Sequence, residues 1–168
     1  PNDNLFISPL SLSEGLGLAL VGARGQTETE MRALLGWDPA ARPELLVKAY
    51  DDFLTRTGDD KVALSVANAL WLSNELTFAP DYLRTARTAF GATADTVDFG
   101  GNPQGSADRI NGWVAKQTRE RITKIVEASG FGDTTAAVLT NAVWFKADWS
   151  VPFEDGSFGE FTRGDGSR

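Results

Sequence analysis

The stretch from Thr135 to Phe153, TAAVLTNAVWFKADWSVPF, contains a nearly unbroken apolar run from Ala136 to Phe145. Apolar residues at every position, rather than at alternate ones, predict a strand covered on both faces. Such a strand cannot stand alone, so the chain must supply neighbouring strands and layers on either side. Asn141 interrupts the run. A buried primary amide brings two N–H donors and an acceptor oxygen, and leaving it unpaired would cost roughly 1–3 kcal/mol. Polar groups must therefore be aimed at it from elsewhere in the chain. Beyond Phe145 the run turns polar at Lys146 and Asp148 but keeps Trp149 and Phe153, two large rings expected to anchor the chain where it leaves the strand.

A chain of 168 residues is about one domain, and a compact domain of that size buries on the order of 70% of its unfolded surface. A formal charge of −7 repels phosphate backbones and anionic lipid, which argues against nucleic acid and membrane partners. No apolar run reaches membrane-spanning length. Histidine and cysteine are both absent, so Ser-His-Asp and Cys-His nucleophile systems and His/Cys zinc sites cannot be built from this chain alone. There is no glycine-rich phosphate loop, dinucleotide fingerprint or metal-ligand spacing, and the carboxylates fall in turns or on solvated helix faces. The chain therefore reads as neither an enzyme nor a binder of metal or cofactor. Pro1–Asn4 shows no signal peptide.

Along the chain, Ser8-Pro9 predicts a helix start, with Ser8 as cap and Pro9 at the first helical position. Leu12, Leu16, Ala19 and Leu20 share the expected inner face, while Gly15, Gly17 and Gly22 strip bulk from the helix so that other backbone can pass close by. Glu14 is the only charge between Leu10 and Val21. Thr27-x-x-Glu30 reads as a capping box for a short helix stopped by Gly36, and Pro43–Thr57 as a third helix of mixed charge, without a basic stripe for polyanions. Val62–Leu72 predicts a strand with one large face (Val62, Leu64, Val66, Asn68, Leu70, Leu72) and one smaller face. The smaller face is to be packed by an amphipathic helix that starts at Pro103, capped by Asn102, and turns Ile110, Trp113, Val114 and Gln117 inward. Between them come a helix from Pro80 to Phe90 and a strand from Ala92 to Phe99. The words Asn68-Ala69-Leu70-Trp71-Leu72 echo Asn141-Ala142-Val143-Trp144-Phe145, as expected of neighbouring strands in similar surroundings. Asn111 and Thr118 read as local hydrogen-bonding positions. The expected fold class is α+β, with helices packed on a largely β sheet.

Three blocks, in order, resemble the serpins, the family of serine protease inhibitors. They are Asn4-Leu5-Phe6-Ile7-Ser8-Pro9-Leu10-Ser11 with the glycine-rich helix after it, Ile110-Asn111-x-Trp113-Val114-x-x-x-Thr118 with Ile122-Thr123-Lys124-Ile125-Val126, and Asn141-x-x-x-Phe145-Lys146-x-x-Trp149-x-x-x-Phe153. The resemblance implies that Ser8, Pro9, Ser11 and Asn141 belong to the shutter, the region that controls whether the main sheet opens. It also implies that Lys146, Trp149 and Phe153 lie at the top of the sheet, and that Asn111, Trp113 and Thr118 lie on the helix that crosses it. The family typically has glycine where Ala147 stands.

By the same resemblance residues 1–168 are a single incomplete domain, truncated at both ends, without the reactive loop or the C-terminal strands. The whole protein would then be an inhibitor of serine or cysteine proteases that acts as a suicide substrate, its cleaved loop entering the sheet as a new strand. A non-inhibitory binding or structural role stays open beside it. This piece alone is expected to be inactive and to self-associate through an exposed sheet edge. An extracellular location is the family-level expectation, with the cytoplasm as the alternative.

Overall fold

A computed structural model describes residues 7–38, 40–42, 45, 62–153, 156, 159–160, 162–164 and 166–167. Helix α1 spans Pro9–Gly22 and α2 Gly25–Leu35. Strand β1 (Val62–Ser73) leads to α3 (Pro80–Ala89), β2 (Thr93–Val97), α4 (Pro103–Gln117), a single 3-10 turn at Ala128–Gly130, and β3 (Ala137–Ala147). The predicted third helix, Pro43–Thr57, falls almost entirely outside the described residues.

The sheet has the order β2-β1-β3. β1 and β2 run parallel, a pairing that needs a crossover, which α3 supplies. β1 and β3 run antiparallel from Val62↔Ala147 to Leu72↔Ala137. The alternation along β1 sorts the core into two halves. Leu70 and Leu72 pack with Leu18 of α1 and with Ala86, Phe90 and Ala92. Ala69 and Trp71, on the opposite face, pack with Val97, Phe99 and Ile110 of α4. The small residue at Ala69 thus meets the helix from Pro103, as its side-chain size predicts.

Several local expectations change. Because α1 is apolar nearly all round, periodicity does not select its inner face. Glu14, Gly17, Leu18 and Leu20 are the buried positions, whereas Leu12 is 56% exposed. The glycines do admit neighbours: a Cβ on Gly17 would lie 3.1 Å from the Trp37 ring. Helix α2 begins at Gly25, before the proposed box. Gly25 has φ +61 and turns the chain sharply out of α1, so Thr27 is already inside the helix and Glu30 accepts from Gln26 instead. Gly36 ends that helix in the left-handed conformation at φ +64, as expected. Among the described residues β3 is an edge strand and is not covered on both faces, with Phe145 64% exposed.

Candidate functional site

The polar positions of α1, β1 and β3 converge on Asn141. In an antiparallel pair, directly opposed residues project to the same face, and Asn141 stands opposite Asn68. The Asn141 Nδ2 donates to Asn68 Oδ1 at 2.8 Å. From the helix, the Ser11 hydroxyl donates to Asn141 Oδ1. Asn68 Nδ2 in turn donates to Glu14 Oε2 at 3.2 Å and to the Phe90 carbonyl at 3.3 Å. Ser8 lies one step back: its hydroxyl accepts from Ser11 N–H at 3.3 Å, capping α1, with Pro9 beginning the helix. Gly15 lies against Asn141: a Cβ there would sit 3.5 Å from Asn141 Cβ, an ordinary van der Waals contact.

Of the residues singled out from the sequence, Ser8, Pro9, Ser11 and Asn141 are thus brought together. Asn68 and Glu14, which complete the network, were not singled out as site residues. Two signals pointed to them: the repeated Asn-Ala-hydrophobic-aromatic words of the two strands, and the isolated charge within an apolar helix. Both are buried, at 4% exposure each.

A second group lies on the opposite face of the sheet. Asn111 Oδ1 accepts from the N–H groups of Ile125 and Val126 at 2.8 and 3.2 Å, and its Nδ2 donates to the Val126 carbonyl at 3.0 Å. This clamps the chain after α4 back onto the helix. Trp113 meets Trp71 edge-on at 6.0 Å, and the Trp71 indole N–H donates to Thr140 at 3.0 Å. Thr118, fully buried at the end of α4, donates to the Val114 carbonyl at 2.9 Å and accepts from Ile122 N–H at 3.0 Å. The local role expected of Thr118 is the one observed, whereas Asn111 reaches residues 14 and 15 positions along the chain. Just beyond, Arg119 lies over the Trp144 ring, 3.8 Å from its centroid, so the end of α4 touches β3 directly.

The third group does not assemble. Lys146 is exposed near the end of β3 beside a groove lined by Ser8, Pro9, Leu64 and Trp144. Trp149 and Phe153 are 70% and 82% exposed and meet each other edge-on at 5.4 Å. They anchor nothing among the described residues, because the sheet supplies no surface beyond Ala147 for them to cover. Ala147 itself lacks the positive φ that would demand glycine; among non-glycine described residues only Arg119 and Glu120 have one. No group of His, Cys, Asp or Glu among the described residues could hold a metal ion.

A hydrogen-bonded bridge from helix α1 to the middle of a sheet whose outer strand pairs on one side only among the described residues is the arrangement of an α+β protein. A family model, Serpin (serine protease inhibitor), matches residues 1–167. The chain is 35% identical over 156 residues to Iripin-2 of Ixodes ricinus, covering 91% of this chain and 39% of that protein. It is 31% identical over 151 residues to a leukocyte elastase inhibitor of Xenopus tropicalis, covering 90% and 40%. Among solved structures, emu ovalbumin superposes with a TM-score of 0.83 at 26% identity, over 92% of this chain and 43% of that one. Serpin-12 of Manduca sexta does so with 0.77 at 28%, over 88% and 41%. The chain belongs to the serpin family, and it spans about 40% of the length of the relatives it matches.

Proposed function

We propose that the whole protein inhibits serine-type endopeptidases as a suicide substrate. An acyl-enzyme formed on a reactive loop would be trapped as the cleaved loop enters the sheet, and Ser8, Pro9, Ser11 and Asn141 would form the shutter that governs entry. The observation that carries this reading is the Ser11–Asn141–Asn68 bridge, which holds β3 to α1 and β1 while β3 pairs on only one side among the described residues. Strand entry beside β3 would require that hold to yield. Lys146, Trp149 and Phe153 would contact the top of the sheet, and α4, with Asn111, Trp113 and Thr118, would move across its face as the strand enters. Cysteine proteases are included as targets of the same trap. The protein would meet its targets outside the cell, which its presence in culture medium would check.

The test mixes the whole protein with trypsin-like and chymotrypsin-like proteases. A covalent complex that survives SDS is the expected result. Cleavage of the protein with no such complex would overturn the proposal in favour of a non-inhibitory role. The 168-residue piece should form no complex with either protease.

A further inference from the structure

Helix α4 is followed by two residues that are not glycine and yet take positive φ, Arg119 at 52 and Glu120 at 61. The first of them lays its guanidinium over the Trp144 ring of β3. We propose that Arg119 and Trp144 form a clasp that pins the end of α4 to the outer strand, with Arg119 as a positioning residue. The proposal rests on the inhibitor reading for its functional consequence: a strand entering beside β3 would first have to undo the clasp.

The turn shows what the arginine is for. Glu120 N–H donates to the Ala115 carbonyl at 2.8 Å and Arg119 N–H to the Lys116 carbonyl at 3.4 Å. These two bonds close a helix on a left-handed residue, a position that glycine usually takes because a Cβ there crowds the following carbonyl. The chain ends α2 with the same pair of bonds, from Trp37 to Arg32 and from Gly36 to Ala33, and there it does use glycine. At the end of α4 it meets the steric penalty at two residues in a row. Left-handed residues other than glycine persist where their surroundings fix them, and they cluster where the strain has a use. Buried Thr118 fixes the turn from below, donating to the Val114 carbonyl at 2.9 Å and accepting from Ile122 N–H at 3.0 Å. Glycine would fit the backbone better but could reach nothing. Arginine in this position brings a cation 3.8 Å from the Trp144 centroid, well inside the range of a cation–π contact.

The place of the contact matters as much as its chemistry. The apolar cluster beneath α4 joins Ile110 to Ala69 and Trp71 of β1 and to Val97 and Phe99, and Val138 is the residue of β3 packed against it. Trp144 lies six residues further along β3, about 20 Å away at the rise of an extended strand. Alternation puts it on the same face as Thr140, the partner of Trp71, and so beneath α4. The clasp thus ties α4 to a part of β3 that the apolar cluster does not reach.

The experiment is a double-mutant cycle in the whole protein, with Arg119→Gln and Trp144→Leu made singly and together. Glutamine keeps the left-handed cost of a side chain and loses the cation; leucine stays apolar and loses the ring. The readout is amide exchange at Glu120 and Ile122, whose N–H groups close the turn. Each single variant should speed it about two- to fivefold, the factor for one exposed cation–π contact. The double variant should be no faster than either single one. Independent, additive effects would overturn the proposal. In wild type the Arg119 Cδ protons should also be shifted upfield by the indole ring, and unshifted protons overturn the contact even if neither variant folds.

The functional arm uses a protease with which wild type yields both cleaved protein and covalent complex. Arg119→Gln should lower the ratio of cleaved protein to complex by a similar factor, because strand entry then outruns hydrolysis more often. An unchanged ratio beside a coupled cycle would overturn the part of the clasp in strand entry. Absence of any complex from wild type, with the cycle coupled, would remove the inhibitor reading and leave the clasp standing.

Discussion

Asn68 and Asn141 face one another across the antiparallel β1–β3 pair and are joined side chain to side chain at 2.8 Å. Each also reaches a helix: Asn141 accepts from Ser11 of α1, and Asn68 donates to Glu14 of α1 and to the carbonyl at the end of α3. Two adjacent strands and two helices thus meet through one pair of amides. Below it, Leu70 and Leu72 continue the same face as ordinary apolar core. The polar bridge is therefore confined to the middle of the sheet.

Replacing Asn141 with leucine keeps the volume but strands the Ser11 hydroxyl and one face of Asn68. Each loses a partner in a part-buried setting, so the variant should be less stable by about 1–3 kcal/mol. Its unfolding midpoint in urea should fall relative to wild type. A midpoint unchanged or raised would mean that the bridge contributes nothing to holding α1 against β3.

The sheet and most helix limits were legible in the sequence because they rest on local signals: alternation in β1, the Asn102 cap of α4, and glycine at the end of α2. The lone amide in an apolar strand called for polar partners, and the family resemblance grouped Ser8 and Ser11 with Asn141; the structure joins Ser11 to it directly. What was not legible depended on neighbours. In α1 every face is apolar, so only the positions of β1 and α3 decide that Leu18 is buried and Leu12 is not. β3 reads as a covered strand in isolation, yet coverage belongs to the layers, and those of the described residues leave Phe145 64% exposed. Trp149 and Phe153 have the composition of anchors but, among the described residues, meet only each other as rings and stay exposed. Asn68 was counted among the large-face residues of β1 because period-two alternation reports direction and not the partner met there.

Asn111 holds the segment after α4 through three hydrogen bonds to Ile125 and Val126. Asn111→Leu should free that segment without unfolding the sheet. Amide exchange at Ile125 and Val126 should accelerate by on the order of tenfold or more, the factor for loss of about 1.4 kcal/mol of local protection. Amides of β1 should keep their wild-type rates; equal acceleration in β1 would show the clamp to be global.

Burial raises the pKa of the Tyr82 phenol above its ordinary value of 10.0. The folded state therefore favours the neutral phenol more than the unfolded state does. This contribution is fully present below pH about 10 and is lost as pH rises through the folded-state pKa. Absorbance titration at the phenolate band should show one of the two tyrosines ionising late. Tyr82→Phe should flatten the fall in stability above pH 10, and an unchanged alkaline limb would place the cause elsewhere.

Among the described residues no strand pairs with the outer edge of β3, and Leu139 and Phe145 on that strand and the Trp149–Phe153 pair beyond its end are all more than a third exposed. Such an edge is a template for another strand, and nothing among the described residues covers it. The 168-residue chain by itself should therefore associate, and sedimentation velocity should show species larger than a monomer at micromolar concentration. Phe145 lies on β3 beside Lys146, at a position 64% exposed, so charge can be placed there without disturbing the two core clusters. Phe145→Lys should shift the distribution toward monomer while leaving the far-ultraviolet spectrum unchanged. Association that persists undiminished in Phe145→Lys would move the contact away from this end of the edge, and a wild-type chain that sediments as a monomer would end the prediction altogether.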